Sequence, residues 1–145
     1  MAARRITCTV LLTGSLAGLV GCVGAAPTDG DRAKGAFLAA DVLPWKGDLI
    51  RVRVTTKLAA GAEGADEFAR CVAAGYAVKN KAGFVRHVRT LTDKEGGIWR
   101  ADAVYSVTAA LPDGVQTIDA EVTVADCAER GIPAGPVAAK DKTAA

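Results

Sequence analysis

Arg51, Arg53, Arg86 and Arg89, with His87 between the last two, are the side chains whose types and spacing could do chemistry in this 145-residue sequence. Arg51 and Arg53 stand two apart in LIRVRVTTK, and residues two apart on a strand share a face. Arg86 and Arg89 bracket the segment RHVR. On neighbouring strands, four guanidinium groups could form a site for a small anionic ligand, since arginine donates to carboxylates and phosphates in a planar fork. His87 is the single histidine, and it could titrate near neutrality or act as a base. The preferred reading is plainer. Asp102, Asp119 and Glu121 lie on outward faces of nearby strands and can neutralise those arginines across a solvated sheet. A relay would need a second histidine, and a hydrolase of the nucleophile-elbow type would need a serine in that setting. Neither occurs, nor does a Gly-rich phosphate loop. Asp119 and Glu121 share a face at i, i+2, yet within so regular an alternation they read as its wet side. The chain is therefore read as not an enzyme, and as needing no cofactor and no metal.

Elements must position those side chains. In GDLIRVRVTTK, Ile50, Val52 and Val54 alternate with Arg51, Arg53 and Thr55, the period of a half-buried strand. DEFARCVAAGYAVKNK, Asp66 to Lys81, carries Phe68, Cys71, Val72, Gly75 and Val78 at helical spacing. Acidic residues stand at its start, Lys79 and Lys81 at its end, and Gly83 follows as a stop. FVRHVRTLT, Phe84 to Thr92, and IWRADAVYSVTAAL are two further strands around the turn DKEGG. Pro112 to Gly114 is a strong turn signal. After it, QTIDAEVTVADC puts Ile118, Ala120, Val122 and Val124 on one face and reads as a last strand. AFLAADVLPW, Ala36 to Trp45, reads as a short strand or as an arm packed on the domain. The order β-α-β-β-β predicts an α+β fold, one helix on a mostly antiparallel sheet of about four strands.

The N-terminus carries an address. Arg4 and Arg5 precede an apolar run, Ile6 to Val20, of fifteen residues. As a helix that run rises about 22 Å, short of a roughly 30 Å hydrocarbon core, and it reads as a secretory signal. Arg4-Arg5 also hints at a twin-arginine route, though Ile6 and Thr7 fit that motif poorly. Leu19-Val20-Gly21-Cys22 then resembles the lipobox of bacterial lipoproteins. The resemblance covers the first 22 residues. It implies a signal peptide over 1–21, a palmitate-type acyl anchor at Cys22, and a chain held on the cell envelope facing the periplasm. Val23 rather than Asp after that cysteine implies the outer membrane if the organism is Gram-negative. An ordinary signal cut after Ala25 or Ala26 is the alternative. In layout alone, the rest resembles small uncharacterised envelope lipoproteins, which implies no activity.

Removal of 1–21 would take away Arg4 and Arg5, the whole of the formal +2 charge, leaving sixteen basic against sixteen acidic residues. A neutral chain lacks the basic surplus that nucleic acid requires. Residues 22–46 read as a lipidated tether and arm, 47–131 as the α+β domain, and 132–145 as a flexible tail rich in small residues. With Cys8 lost and Cys22 acylated under that resemblance, Cys71 and Cys127 remain in an oxidising compartment and are expected to form a disulfide between helix and sheet. The sum is an acyl-anchored structural or interaction module of the envelope, partnered by the membrane through its lipid and by an unknown envelope protein or glycan. A binding module for an anionic ligand is the alternative.

Overall fold

The structure, a computed structural model, describes residues 36–57, 60–111, 113 and 116–138. The expected signal peptide, the Cys22 lipid site and the tether through Gly35 lie outside the described residues, as do Pro112 and Gly114. The elements run β1 (Phe37–Pro44), β2 (Leu49–Lys57), α1 (Gly61–Lys79), β3 (Phe84–Glu95), β4 (Ile98–Thr108), β5 (Ile118–Asp119) and α2 (Ala120–Glu129). Every strand pairing is antiparallel, in the order β1-β2-β4-β3-β5. The α+β class holds, with five strands rather than about four and two helices rather than one among the described residues.

Alternation builds the sheet as its residues dictate. Ile50, Val52 and Val54 of β2 register against Tyr105, Ala103 and Ala101 of β4, and all six are buried beneath α1. AFLAADVLPW resolves as an edge strand, with Ala40 packed into the same core. Gly96 and Gly97, both at positive φ, close the β3–β4 hairpin. A two-residue turn with two left-handed positions matches the twist of the strands it joins, and glycine adopts it without steric cost.

Helix α1 starts at Gly61, ahead of the expected Asp66, and Glu63 lies in its first turn. Its left-handed exit residue is Lys81 and not Gly83. Val78, expected on the apolar stripe, is exposed, whereas Ala65, Ala69, Ala73, Ala74 and Ala77 are all buried. Burial this broad arises because α1 lies between two layers, the sheet on one side and α2 on the other. Alanine suits a helix covered on two sides, since short side chains let both layers approach.

The expected last strand is the main correction. Only Ile118 and Asp119 pair with β3, and Ala120 to Glu129 is helical. The Asp119 carboxylate caps that helix, accepting from the Val122 backbone N–H at 3.0 Å. Glu121 adds negative charge to the first turn, where the macrodipole favours it. Ala120 and Cys127 are buried at helical spacing, while Val122, which alternation placed inside, is 66% exposed. Cys71 and Cys127 are bonded, as expected, but the bond joins helix to helix rather than helix to sheet.

The residues directly after α2, expected to begin a flexible tail, are docked as far as Val137. Ile132 is buried, and Val137 exchanges backbone hydrogen bonds with Ala40 of β1 at 2.9 and 3.1 Å. Gly75 makes room for this return path. A Cβ built there would lie 1.6 Å from the Ala134 carbonyl oxygen.

Candidate functional site

The sheet has one covered face and one bare face. Register assigns Arg51, Arg53, Asp102, Arg86 and Arg89 to the bare one, so the four expected arginines share one surface, but β4 lies between β2 and β3, and the two pairs are not on neighbouring strands as expected. For Arg86 and Arg89 this depends on an irregularity. Three residues apart, they would face opposite ways on a regular strand. A β-bulge at Val88 shifts the register so that Arg86 opposes Ser106 and Arg89 opposes Val104, both on the bare face.

Charge on this face is largely answered within it. Arg51 Nε donates to both carboxylate oxygens of Asp102, at 2.8 and 2.9 Å, and its terminal nitrogen donates to the same group. Asp102 is held below the usual carboxylate range, chiefly by that hydrogen bond, partly offset by desolvation, with Arg89 and Arg53 adding smaller attractions. Arg53 lies 3.8 Å from Asp41 of β1, and Arg100 donates to Glu95 at 2.8 Å. Among the described residues Arg86 and Arg89 take part in no ion pair. Asp119 and Glu121, expected to neutralise arginines, are instead the cap and a first-turn residue of α2. Val104 sits at the centre of this open face yet is only 2% exposed. Leu43 and Leu91 stand exposed on the same face. A recess of about 450 Å³ runs over Asp41, Arg53, Thr55, Leu91, Arg100 and Asp102.

A second polar cluster, which sequence reasoning missed, lies on the covered face where α1 begins. His87 Nε2 is 2.7 Å from Thr90 Oγ1, and Thr90 Oγ1 donates to Asp66 Oδ1 at 2.5 Å. The threonine has one proton and gives it to Asp66, so His87 Nε2 must be the donor to Thr90. This polarity is opposite to a hydrolytic triad, in which the histidine accepts from the hydroxyl. The His87 ring meets Tyr105 edge-on at 5.3 Å between centroids. Burial pushes the Tyr105 phenol well above its ordinary pKa, with Asp66 adding to the rise and Arg70 opposing it. Glu67 accepts from Arg70 and from Arg130, tying α1 to the end of α2. An open recess of about 500 Å³ lies over Glu63, Asp66, Arg70 and Thr90. Among the described residues no group of three or more His, Cys, Asp or Glu side chains could hold a metal ion. The one sequence signal for this cluster was Asp66 at the head of a helix whose inner face must cross β3.

The folded elements from β1 to the end of α2 coincide with a known unit. A family model described as the YNQ4 C-terminal domain matches residues 37–131. The chain belongs to the YNQ4 C-terminal domain family. It is similar to a curated protein of Paracoccus denitrificans described as "Uncharacterized 26.9 kDa protein in nqo8 5'region", 35% identical over 103 residues. That similarity covers 70% of this chain and 40% of the relative, so the chain spans well under half of the relative's length. No solved structure matches. The family's domain thus includes β1 and both helices, with the bonded Cys71 and Cys127 inside it.

Proposed function

We propose that this chain is an acyl-anchored lipoprotein of the bacterial cell envelope whose YNQ4 domain is a structural or interaction module. The module reading is supported by one observation, the bare sheet face. It is open and crossed by charge pairs, Arg51 with Asp102 and Arg53 with Asp41, and it carries exposed Leu43 and Leu91. A face of that kind suits contact with an extended surface better than enclosure of a small substrate. The anchor rests on Leu19-Val20-Gly21-Cys22 at the end of a short apolar run. Among the described residues no helix is long and apolar enough to cross a membrane. Two or three acyl chains hold a protein on a membrane where one does not. Expressed in a bacterial host, the full chain should partition with detergent and membranes, and Cys22→Ser should stay in the aqueous phase or remain unprocessed. An intact mass of the mature protein with no added lipid would overturn the anchor.

A second reading is favoured by Arg86 and Arg89, which share the bare face without ion-pair partners among the described residues. They could take a small anionic ligand. Under the preferred reading, phosphate leaves the melting temperature unchanged and Arg86→Gln shifts it little, as for exposed charges. A rise with phosphate that Arg86→Gln abolishes would establish an anion site instead. Thermal scans of the parent chain and of Arg86→Gln, with and without phosphate, separate the two.

A further inference from the structure

We propose that strand β3 pairs antiparallel with β3 of a second copy of this chain, about a two-fold axis through Leu91. This goes beyond the anchored-module reading and holds whether or not Cys22 carries lipid. The two edges of the sheet differ. β1 ends in Pro44, which lacks a backbone donor, and its Ala40 is already bridged by Val137. On the other side β5 engages only Phe84 and Val85. Among the described residues, Arg86 to Glu95 has no strand on that side, so backbone donors and acceptors stand open along about 30 Å.

Edges this long are usually blunted by charge or by a bulge. β3 has both, but its charges are ordered so that they complement a copy of themselves. The segment from Arg89 to Asp93 reads basic, Thr, Leu, Thr, acidic. Register places Arg89, Leu91 and Asp93 on the bare face, opposite Val104, Asp102 and Arg100, and Thr90 and Thr92 on the covered face. An antiparallel partner centred on Leu91 sets Arg89 against its Asp93, Asp93 against its Arg89, and Leu91 against Leu91. Threonines then meet threonines on the other face. Directly opposed residues of opposite charge attract and like charges repel, so this register is selected. A one-residue slip sends every side chain to the wrong face. Centring on Thr92 sets Leu91 against Asp93. The three side chains are available: Leu91 is 61% exposed, and among the described residues neither Arg89 nor Asp93 has an ion-pair partner within the monomer. Pairing joins two five-stranded sheets edge to edge. The bulge at Val88 limits the regular ladder to the stretch from Arg89 onward, so the contact is small and reversible.

Cysteine crosslinking of the purified full chain tests this. Opposed residues in an antiparallel pair have Cα atoms about 4.5–5.5 Å apart, within disulfide reach. Under mild oxidation, Leu91→Cys should give a band at twice the 14.8 kDa chain mass, well above the parent chain and above Leu43→Cys, a control that is also exposed, on the far edge strand. In the Leu91→Cys background, Arg89→Asp should cut the crosslinked fraction by at least about tenfold, since it sets two acidic pairs face to face. Adding Asp93→Arg to that variant should restore it. Crosslinking of Leu91→Cys no greater than that of Leu43→Cys overturns the pairing. Loss in Arg89→Asp without recovery in the charge-swapped variant overturns the register.

Discussion

Removing the Cys71–Cys127 bond should lower the melting temperature by about ten degrees or more. The bond joins residues 56 positions apart in sequence, and closing that loop is worth about 4 kcal/mol when the unfolded chain's lost freedom is the dominant effect. Small domains hold a total of about 5–15 kcal/mol, so this is a large share. The core offers little to replace it. Ala65, Ala69, Ala73, Ala74 and Ala77 fill the layer between α1 and its neighbours, and each buries far less apolar area than a leucine. Helix α2 depends on the bond most. It has ten residues, too few to be stable alone, and only Ala120 and Cys127 are fully buried. Both sulfurs lie in residues with no solvent exposure, so a reductant acts only through opening of the α1–α2 contact. Thermal scans of Cys71→Ala/Cys127→Ala against the parent chain measure the loss directly. Non-reducing peptide mapping should find the two cysteine peptides joined. Free reaction of both thiols with a maleimide in the folded, unreduced protein would contradict the bond.

How much of this was legible in the sequence follows from which interactions are local. Ile50, Val52 and Val54 were readable because alternation and burial coincide on β2. On α1, Phe68, Cys71 and Val72 were readable for the same reason at helical period, but Val78 is exposed and the buried alanines were not on the expected stripe. Residues Ala120 to Glu129 were not, because two periods compete there. Val122 and Val124 alternate as in a strand, while Ala120 and Cys127 repeat as in a helix. The stronger clue was chemical: Asp119 as a cap, Glu121 in the first turn, and Asp126 four before Arg130, a pair at 2.7 Å. The four arginines reached one face only through the bulge at Val88, which no periodicity signals. The contact of His87 through Thr90 to Asp66 joins residues 24 apart across the helix–sheet layer and exists only once α1 is docked. The anticipated opposition of Asp119 and Glu121 to the arginines fell with the strand that was to carry them.

Gly75→Ala should destabilise the protein by about 1–3 kcal/mol, although alanine is the better helix former. Two effects oppose each other at this site. Within a helix, alanine gains roughly 0.5–1 kcal/mol over glycine from backbone entropy. Against that, the new methyl group would sit 1.6 Å from the carbonyl oxygen of Ala134 and 2.7 Å from its carbon. Those are backbone atoms and cannot swing aside as a side-chain tip can. Either α1 shifts against the sheet or the segment from Ile132 to Val137 lifts away. Lifting exposes Ile132 and breaks the two hydrogen bonds between Ala40 and Val137, leaving the β1 edge open. Steric exclusion therefore outweighs helix propensity, and the melting temperature should fall by several degrees. Hydrogen exchange locates the damage: the Ala40 and Val137 amides should lose protection first, while Val52 and Ala103 at the sheet centre keep theirs. A Gly75→Ala protein as stable as the parent, with Val137 still protected, would show that the segment after α2 does not return across α1 at this point.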